Sequence, residues 1–363
     1  MTKKDVRIDH MRISVSYQCN LHCEHCYVPE DFRTKYKEVL GDKEMSMEQI
    51  TGFIDFLMDN HGLEKISVTG GETLIKSVWA RTKAVLSHAN RRGLRVQLNT
   101  GGLGQIPVPD IVSLFDDPSR LLVQISLDGS KAETVDKFRG HRGVFDSALR
   151  YMAELTAAGA KVQARYTINE TNYDETVGAY ELVSEIPIES FKVKPMFAAG
   201  TAIENRDKLV QATERIGKLQ RALIEASARC ATYLEVATPV FFEDSEFAHL
   251  ANWRVADCSC GMTSGYLSSS GDLYACSYGV GDGHSGDLVV GNIGTEGFDF
   301  ARAWIEAPVM DTYRDRLTPH SCPSSSLLLR NLVPTGLPIV KSPAGSTCGM
   351  PEPAAAQTSV AAD

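Results

Sequence analysis

The chain lacks an apolar run approaching the ~20 residues that a membrane-spanning helix needs. Its start, Met-Thr-Lys-Lys-Asp-Val-Arg, also lacks the apolar stretch of a signal peptide. No membrane partner is expected, and the expected address is the cytoplasm. Nor is there a dense block of basic residues: 37 Lys and Arg stand against 46 Asp and Glu, for a net charge of -9. That balance argues against nucleic acid as a partner. No internal repeat is evident. At 43% hydrophobic and 23% charged residues, the 363-residue chain reads as one large or two medium globular domains. Cysteine, by contrast, is plentiful. A reducing compartment keeps thiols free, so nine cysteines there point to metal binding rather than disulfides.

Three of them, Cys19, Cys23 and Cys26, share one loop after the first recognisable strand, Tyr17-Gln-Cys-Asn-Leu-His-Cys-Glu-His-Cys-Tyr-Val-Pro29. No fourth cysteine lies nearby. Structural zinc sites and ordinary four-iron clusters take four protein ligands, so C-x3-C-x2-C leaves one metal position open for chemistry. Two plainer readings stand beside this one: a zinc knuckle completed by His22 or His25, or buried thiols. The next motif shifts the balance. Ile66-Ser-Val-Thr-Gly-Gly-Glu72 is a strand running into two glycines and an acid. Glycine admits close backbone approach, and a carboxylate there pairs with a cation.

In order and distance these motifs resemble the radical S-adenosylmethionine (SAM) superfamily. The resemblance implies that Cys19, Cys23 and Cys26 hold a [4Fe-4S] cluster whose fourth iron chelates SAM. It also implies that Gly70, Gly71 and Glu72 bind the methionine ammonium, and that His25 takes the place of the usual aromatic beside adenine. Asn99 in Gln97-Leu-Asn-Thr-Gly-Gly102 is a further cofactor contact, although its Asn-Thr order inverts the usual one. Ser126 in Gln124-Ile-Ser-Leu-Asp-Gly129 is expected at the ribose or methionine end, and Arg139 in Phe-Arg-Gly at a carboxylate. For Asp128, capping the turn at Gly129 is an equal alternative.

Patterning supplies the frame. Strands are expected at 11 to 16, 65 to 69, 94 to 99, 120 to 127, 161 to 168 and 190 to 195, with helical periodicity between them. Ser46 and Gln49 form a capping box before the first long helix. Six β/α units argue for a parallel sheet, hence an α/β fold: a partial (β/α)6 TIM-like barrel with its site at the C-terminal strand ends. One strand face carries Arg12, Ser14, Ser67, Gln97, Asn99, Gln124, Gln163, Arg165, Lys192 and Lys194, while the other is aliphatic. Helices must cover the aliphatic face, which predicts a polar lumen.

Beyond the barrel, residues 203 to 230 read as a long linker helix ending at Cys230. Cys258-Ser-Cys260 and Cys276 then flank a Ser270-Gly-Asp272 hairpin turn that folds them together. This arrangement resembles the SPASM and twitch extensions of the same superfamily, implying one auxiliary [4Fe-4S] cluster on Cys258, Cys260, Cys276 and Cys322. A structural zinc on these four ligands remains open. The expected domains are a barrel at 1–200, a linker region at 201–252, the small iron-sulfur extension at 253–330 and a flexible tail at 331–363 that contains Cys348.

The resemblance implies reductive cleavage of SAM and hydrogen abstraction from carbon, with flavodoxin or ferredoxin as electron donor. Only eighteen residues precede Cys19, so no leader-recognition domain is expected in front of it. With the polar lumen, this favours a small-molecule substrate, an aminocyclitol, aminoglycoside or sugar of antibiotic biosynthesis. Neither leftover cysteine sits on a barrel strand to return a hydrogen atom, so oxidation of an alcohol to a ketone is favoured over epimerisation. Arg165 or Lys194 would serve as substrate contact or proton acceptor. The alternatives are a radical epimerase, a peptide-modifying maturase and, outside enzymes, a zinc-binding scaffold.

Overall fold

Alternating strands with one apolar face and helices with one apolar stripe can bury both only by winding helices over a parallel sheet. The protein, described by a computed structural model over residues 6–210, 212–282 and 288–325, does this. Strands β1 (His10–Ser14), β2 (Lys65–Thr69), β3 (Arg95–Thr100), β4 (Leu121–Ser126), β5 (Lys161–Ile168) and β6 (Ser190–Pro195) run parallel in chain order. They form the expected TIM-like partial barrel. Ile13, Val68, Leu98, Val123, Ala164 and Val193 are buried in one core beneath the covering helices. The helix Met47–His61 begins on the anticipated capping box of Ser46 and Gln49 and ends on Gly62 in the left-handed region.

The sheet continues past six strands. Parallel strands β7 (Tyr233–Ala237) and β8 (Trp253–Ala256) add to the β6 edge, and β9 (Ser264–Leu267) adds parallel to β1. Strands β10 (Asp272–Tyr274) and β11 (Val289–Asn292) follow antiparallel, giving the order β11-β10-β9-β1-β2-β3-β4-β5-β6-β7-β8 among the described residues.

The single helix expected over 203 to 230 is shorter, Thr213–Ser227. The stretch before it forms short turns because it docks on the first cysteine loop: Asn205 Nδ2 donates to the Glu24 carbonyl (3.2 Å), and Lys208 pairs with Glu24 (2.7 Å). Cys348 and the tail from 331 lie outside the described residues. Among the described residues no helix is long and apolar enough to cross a membrane.

Candidate active site

The first cysteine loop emerges from the C-terminal end of β1 and is clamped by two other loops. From β2, the Gly71 N–H donates to the Ser16 carbonyl and the Glu72 N–H to the Gln18 carbonyl, both at 2.8 Å. This seam requires glycine, since a Cβ would lie 2.0 Å from the Ser16 oxygen at Gly70 and 2.2 Å from the Gln18 oxygen at Gly71. Gly70 also has φ 145°, a conformation that favours glycine. On the other side, the His22 and Glu24 N–H groups donate to the carbonyls of Arg139 (3.0 Å) and Phe138 (3.1 Å). A Cβ at Gly140 would meet the His22 oxygen at 2.7 Å. Phe138-Arg-Gly140 thus acts as a whole against the loop, where the sequence suggested a role for Arg139 alone.

Glu72 is buried and tied to the end of β3. It accepts from the Leu74 N–H (3.0 Å), the Thr100 hydroxyl (2.7 Å) and the Gly101 N–H (2.6 Å). The carboxylate that the resemblance aims at the methionine ammonium therefore already joins β2 to β3. Burial pushes it up, and these hydrogen bonds oppose that. Asn99 is similarly engaged, its Oδ1 accepting from Gln97 Nε2 (2.8 Å). Ser126 and Arg165 are register partners on β4 and β5.

Arg139 and Asp128 form a buried ion pair, and Arg139 Nη1 also donates to Cys23 Sγ (3.6 Å). Asp128 additionally accepts from the Thr167 N–H (2.7 Å), so its role is to hold Arg139 and β5. His25 stacks flat on Phe138, with ring centroids 4.7 Å apart and planes 11° apart. Burial, then Arg139, Arg165, Lys194 and Arg33, hold its imidazole well below the usual range, so it is neutral. Its Nδ1 is buried without a partner, as are Asn20 Oδ1 and Ser14 Oγ nearby in the chain. Buried polar atoms ordinarily have partners, so these mark a place for a ligand. His22 is exposed. Arg33, which no motif flagged, braces the loop through the Leu21 carbonyl (3.0 Å) and the Thr201 hydroxyl (2.9 Å).

The three loop thiols act on one another through space. Burial, then Cys23 and Glu72, push Cys19 far up; burial, opposed by Arg139, brings Cys23 to about 11. Such thiols ionise only beside added positive charge, which an iron cluster supplies. The residues present fit one.

The second group is assembled by the hairpin. Leu273 pairs with Leu267 and Tyr274 with Tyr266, and Asn292 Nδ2 ties the turn through Asp272 (2.8 Å) and the Ser270 carbonyl (3.0 Å). Cys258 interacts with both Cys260 and Cys322, and Cys260 with Cys276. The Cys260 contact eases Cys258 ionisation, but Cys322 and burial outweigh it and push the thiol up to about 12. No three His, Cys, Asp or Glu side chains close on a single point among the described residues. The four-sulfur donor set suits an iron-sulfur cluster, and a cation stands beside it: Arg12 Nη1 on β1 donates to Cys260 Sγ (3.8 Å).

Residues 13–183 match the Radical SAM superfamily. This stretch is a Radical SAM superfamily domain. Three relatives extend the likeness. Fe-coproporphyrin III synthase of Methanosarcina barkeri is 30% identical over 53% of this chain, which spans only 46% of that relative. AdoMet-dependent heme synthase of the same organism is 26% identical over 82% of each chain. Mycofactocin maturase MftC of Mycolicibacterium smegmatis is 24% identical over 85% of this chain and 73% of its own. Among solved structures, Streptococcus suis SuiB bound to precursor peptide SuiA superposes with a TM-score of 0.63 at 14% identity, covering 85% of this chain and 67% of that one. That likeness concerns the fold and places the radical SAM domain within a longer shared architecture.

Proposed function

We propose that the chain is a radical SAM enzyme that matures a peptide precursor. In it Cys19, Cys23 and Cys26 hold the SAM-binding [4Fe-4S] cluster, and Cys258, Cys260, Cys276 and Cys322 hold an auxiliary one. The observation that carries the chemistry is the clamped loop: three thiols locked between the Gly70-Gly71 seam and Phe138-Arg139-Gly140, beside buried polar atoms that lack partners. When bound, the cluster and SAM supply a carbon-centred radical that takes a hydrogen atom from substrate. The protein's part is to hold the loop, to present a flat neutral imidazole at His25 and to donate N–H groups to cysteine sulfur from Arg139 and Arg12.

The relatives' names support peptide maturation more than the aminocyclitol oxidation expected from the polar lumen. So does the lumen itself, where many polar groups satisfy one another: Gln97 with Asn99, Gln163 with Ser190 (2.8 Å) and His10 with Ser67 (2.7 Å). Fewer remain for a polyhydroxylated ligand than the alternation implied. A second reading, action on a tetrapyrrole, is favoured by the heme synthase that matches over most of both chains.

Anaerobic reconstitution tests the core of this reading. About eight irons per chain and release of 5'-deoxyadenosine on reduction are expected. Zinc in place of iron, or no deoxyadenosine with peptide or porphyrin present, overturns it. Flavodoxin and ferredoxin are the reductants to try.

A further inference from the structure

Most charges facing the lumen are accounted for. Lys192 pairs with Glu235 (3.2 Å), Arg139 with Asp128, and Lys65 donates to Gln97 (2.9 Å), while Arg12 turns to Cys260 and Ser264. Among the described residues two such cations are left. The guanidinium of Arg165 on β5 makes no hydrogen bond or ion pair among the described residues, and Asp128 reaches it only through space. Lys194 on β6 is buried, at 8% exposure, and among the described residues its ammonium meets only the faces of Phe197 (4.7 Å) and Tyr278 (3.9 Å). Register pairs Arg165 with Lys192 and Thr167 with Lys194, so Arg165 and Lys194 are diagonal neighbours on the lumen face.

We propose that Arg165 and Lys194 form a clamp for a carboxylate of the substrate, in the lumen between the two cysteine groups; this rests on the radical SAM reading above. A guanidinium fork and a point ammonium match the two oxygens of a carboxylate. Desolvated cations are costly until an anion joins them, and both groups are held below their usual ranges, first by burial, which for Arg165 outweighs Asp128 and is reinforced by Arg12 and Arg139, and for Lys194 is reinforced by Arg165. Arg165 is the register partner of Ser126, and Lys194 stands toward the second cysteine group. Cys322, Cys276 and Cys260 all act on Lys194 through space, whereas the Gly70-Gly71 seam lies across the sheet on β2. His25, beside the first thiol group, feels both cations.

The test uses reconstituted, SAM-loaded full chain and isothermal titration under anaerobic conditions. Two probe pairs serve: tetraalanine as free acid and as C-terminal amide, and coproporphyrin III and its tetraamide. In at least one pair the acid should bind about ten-fold tighter than the amide, the discrimination expected of a charge-assisted pair. Arg165→Gln and Lys194→Gln should each erase most of that preference, and Arg165→Lys should retain part of it, with SAM affinity unaltered in all three. No acid preference in either pair overturns the proposal, as does a preference that survives both glutamine variants. A parallel loss of SAM affinity in the variants also overturns it, by assigning the clamp to the cofactor's own carboxylate. Deoxyadenosine release by the unaltered chain is scored separately, so failure of the radical reading is distinguishable from failure of the clamp.

Discussion

Replacing Arg165 by Gln should stabilise the protein free of clusters and substrate. Burial, only partly offset by Asp128 and worsened by Arg12 and Arg139, holds this guanidinium down to about 10, against a usual arginine range above 12. At ~1.4 kcal/mol per pKa unit, that is about 3 kcal/mol held against the charged form. Gln removes the charge but gives up packing of roughly one methylene, about 1 kcal/mol. The net expectation is a gain of about 1–2 kcal/mol and a rise in Tm of a few degrees. Because the folded-state value is lowered, the penalty is fully present at neutral pH and is relieved as pH climbs through about 10, where the unfolded chain holds more protons. The advantage of Arg165→Gln should therefore hold from pH 6 to 9, on the order of a flat offset, and shrink above that. Differential scanning calorimetry measures it directly. Arg139→Gln is the internal control: that guanidinium is held above its usual range by Asp128 and Cys23 despite burial, so its loss should cost about 3–5 kcal/mol. An Arg165→Gln protein that melts below the parent at pH 7 would refute the claim that this cation waits unpaired.

Iron counting should divide the two cysteine groups. Cys19→Ser is expected to lose about four irons together with SAM-dependent spectral change, and Cys276→Ser the other four with SAM binding retained. Gly71→Ala should cost about 3 kcal/mol or more and weaken SAM binding, because its Cβ would stand 2.2 Å from the Gln18 oxygen; thermal melting and equilibrium dialysis read the two effects. Asp128→Asn leaves Arg139 as a buried cation without its carboxylate, so a loss of about 3–5 kcal/mol is expected in urea unfolding.

The sequence made the barrel legible because hydrophobic period and turn chemistry agree there. Ser46 and Gln49 announced a helix start, and the strand faces from Arg12 to Lys194 alternate as the lumen requires. The cysteines and Gly70-Gly71 were legible because their types permit few other uses. What escaped was nonlocal. Glu72 looked free because nothing in its own segment shows that Thr100 and Gly101 return to it. Nothing in the Phe-Arg-Gly segment shows that the fold brings His25 over the Phe138 ring. Residues 203 to 212 carry helical periodicity, yet contacts to Glu24 outcompete weak local propensity there.

The late strands β7, β8 and β9 explain why two distant cysteine groups share one lumen. A six-stranded partial barrel ends in two open edges, and an unpaired edge is a row of unsatisfied backbone groups that proteins cover. Here β7 and β8 cover β6, while β9 covers β1 with His10 to Ile13 set against Ser264 to Leu267. The second pairing brings Cys260, bridged to Ser264, beside Arg12. The hairpin through Gly271 then turns Cys276 back onto Cys260. Cys322 reaches the same point on the segment after the helix Pro308–Arg316, where His320 contacts Asp257 (3.2 Å), the neighbour of Cys258. The need to cover a sheet edge thus fixes where the second thiol group stands relative to the first. Lys194, on the interior strand β6, feels Cys260, Cys276 and Cys322 through space, and His25 in the first cysteine loop feels both Lys194 and Arg165.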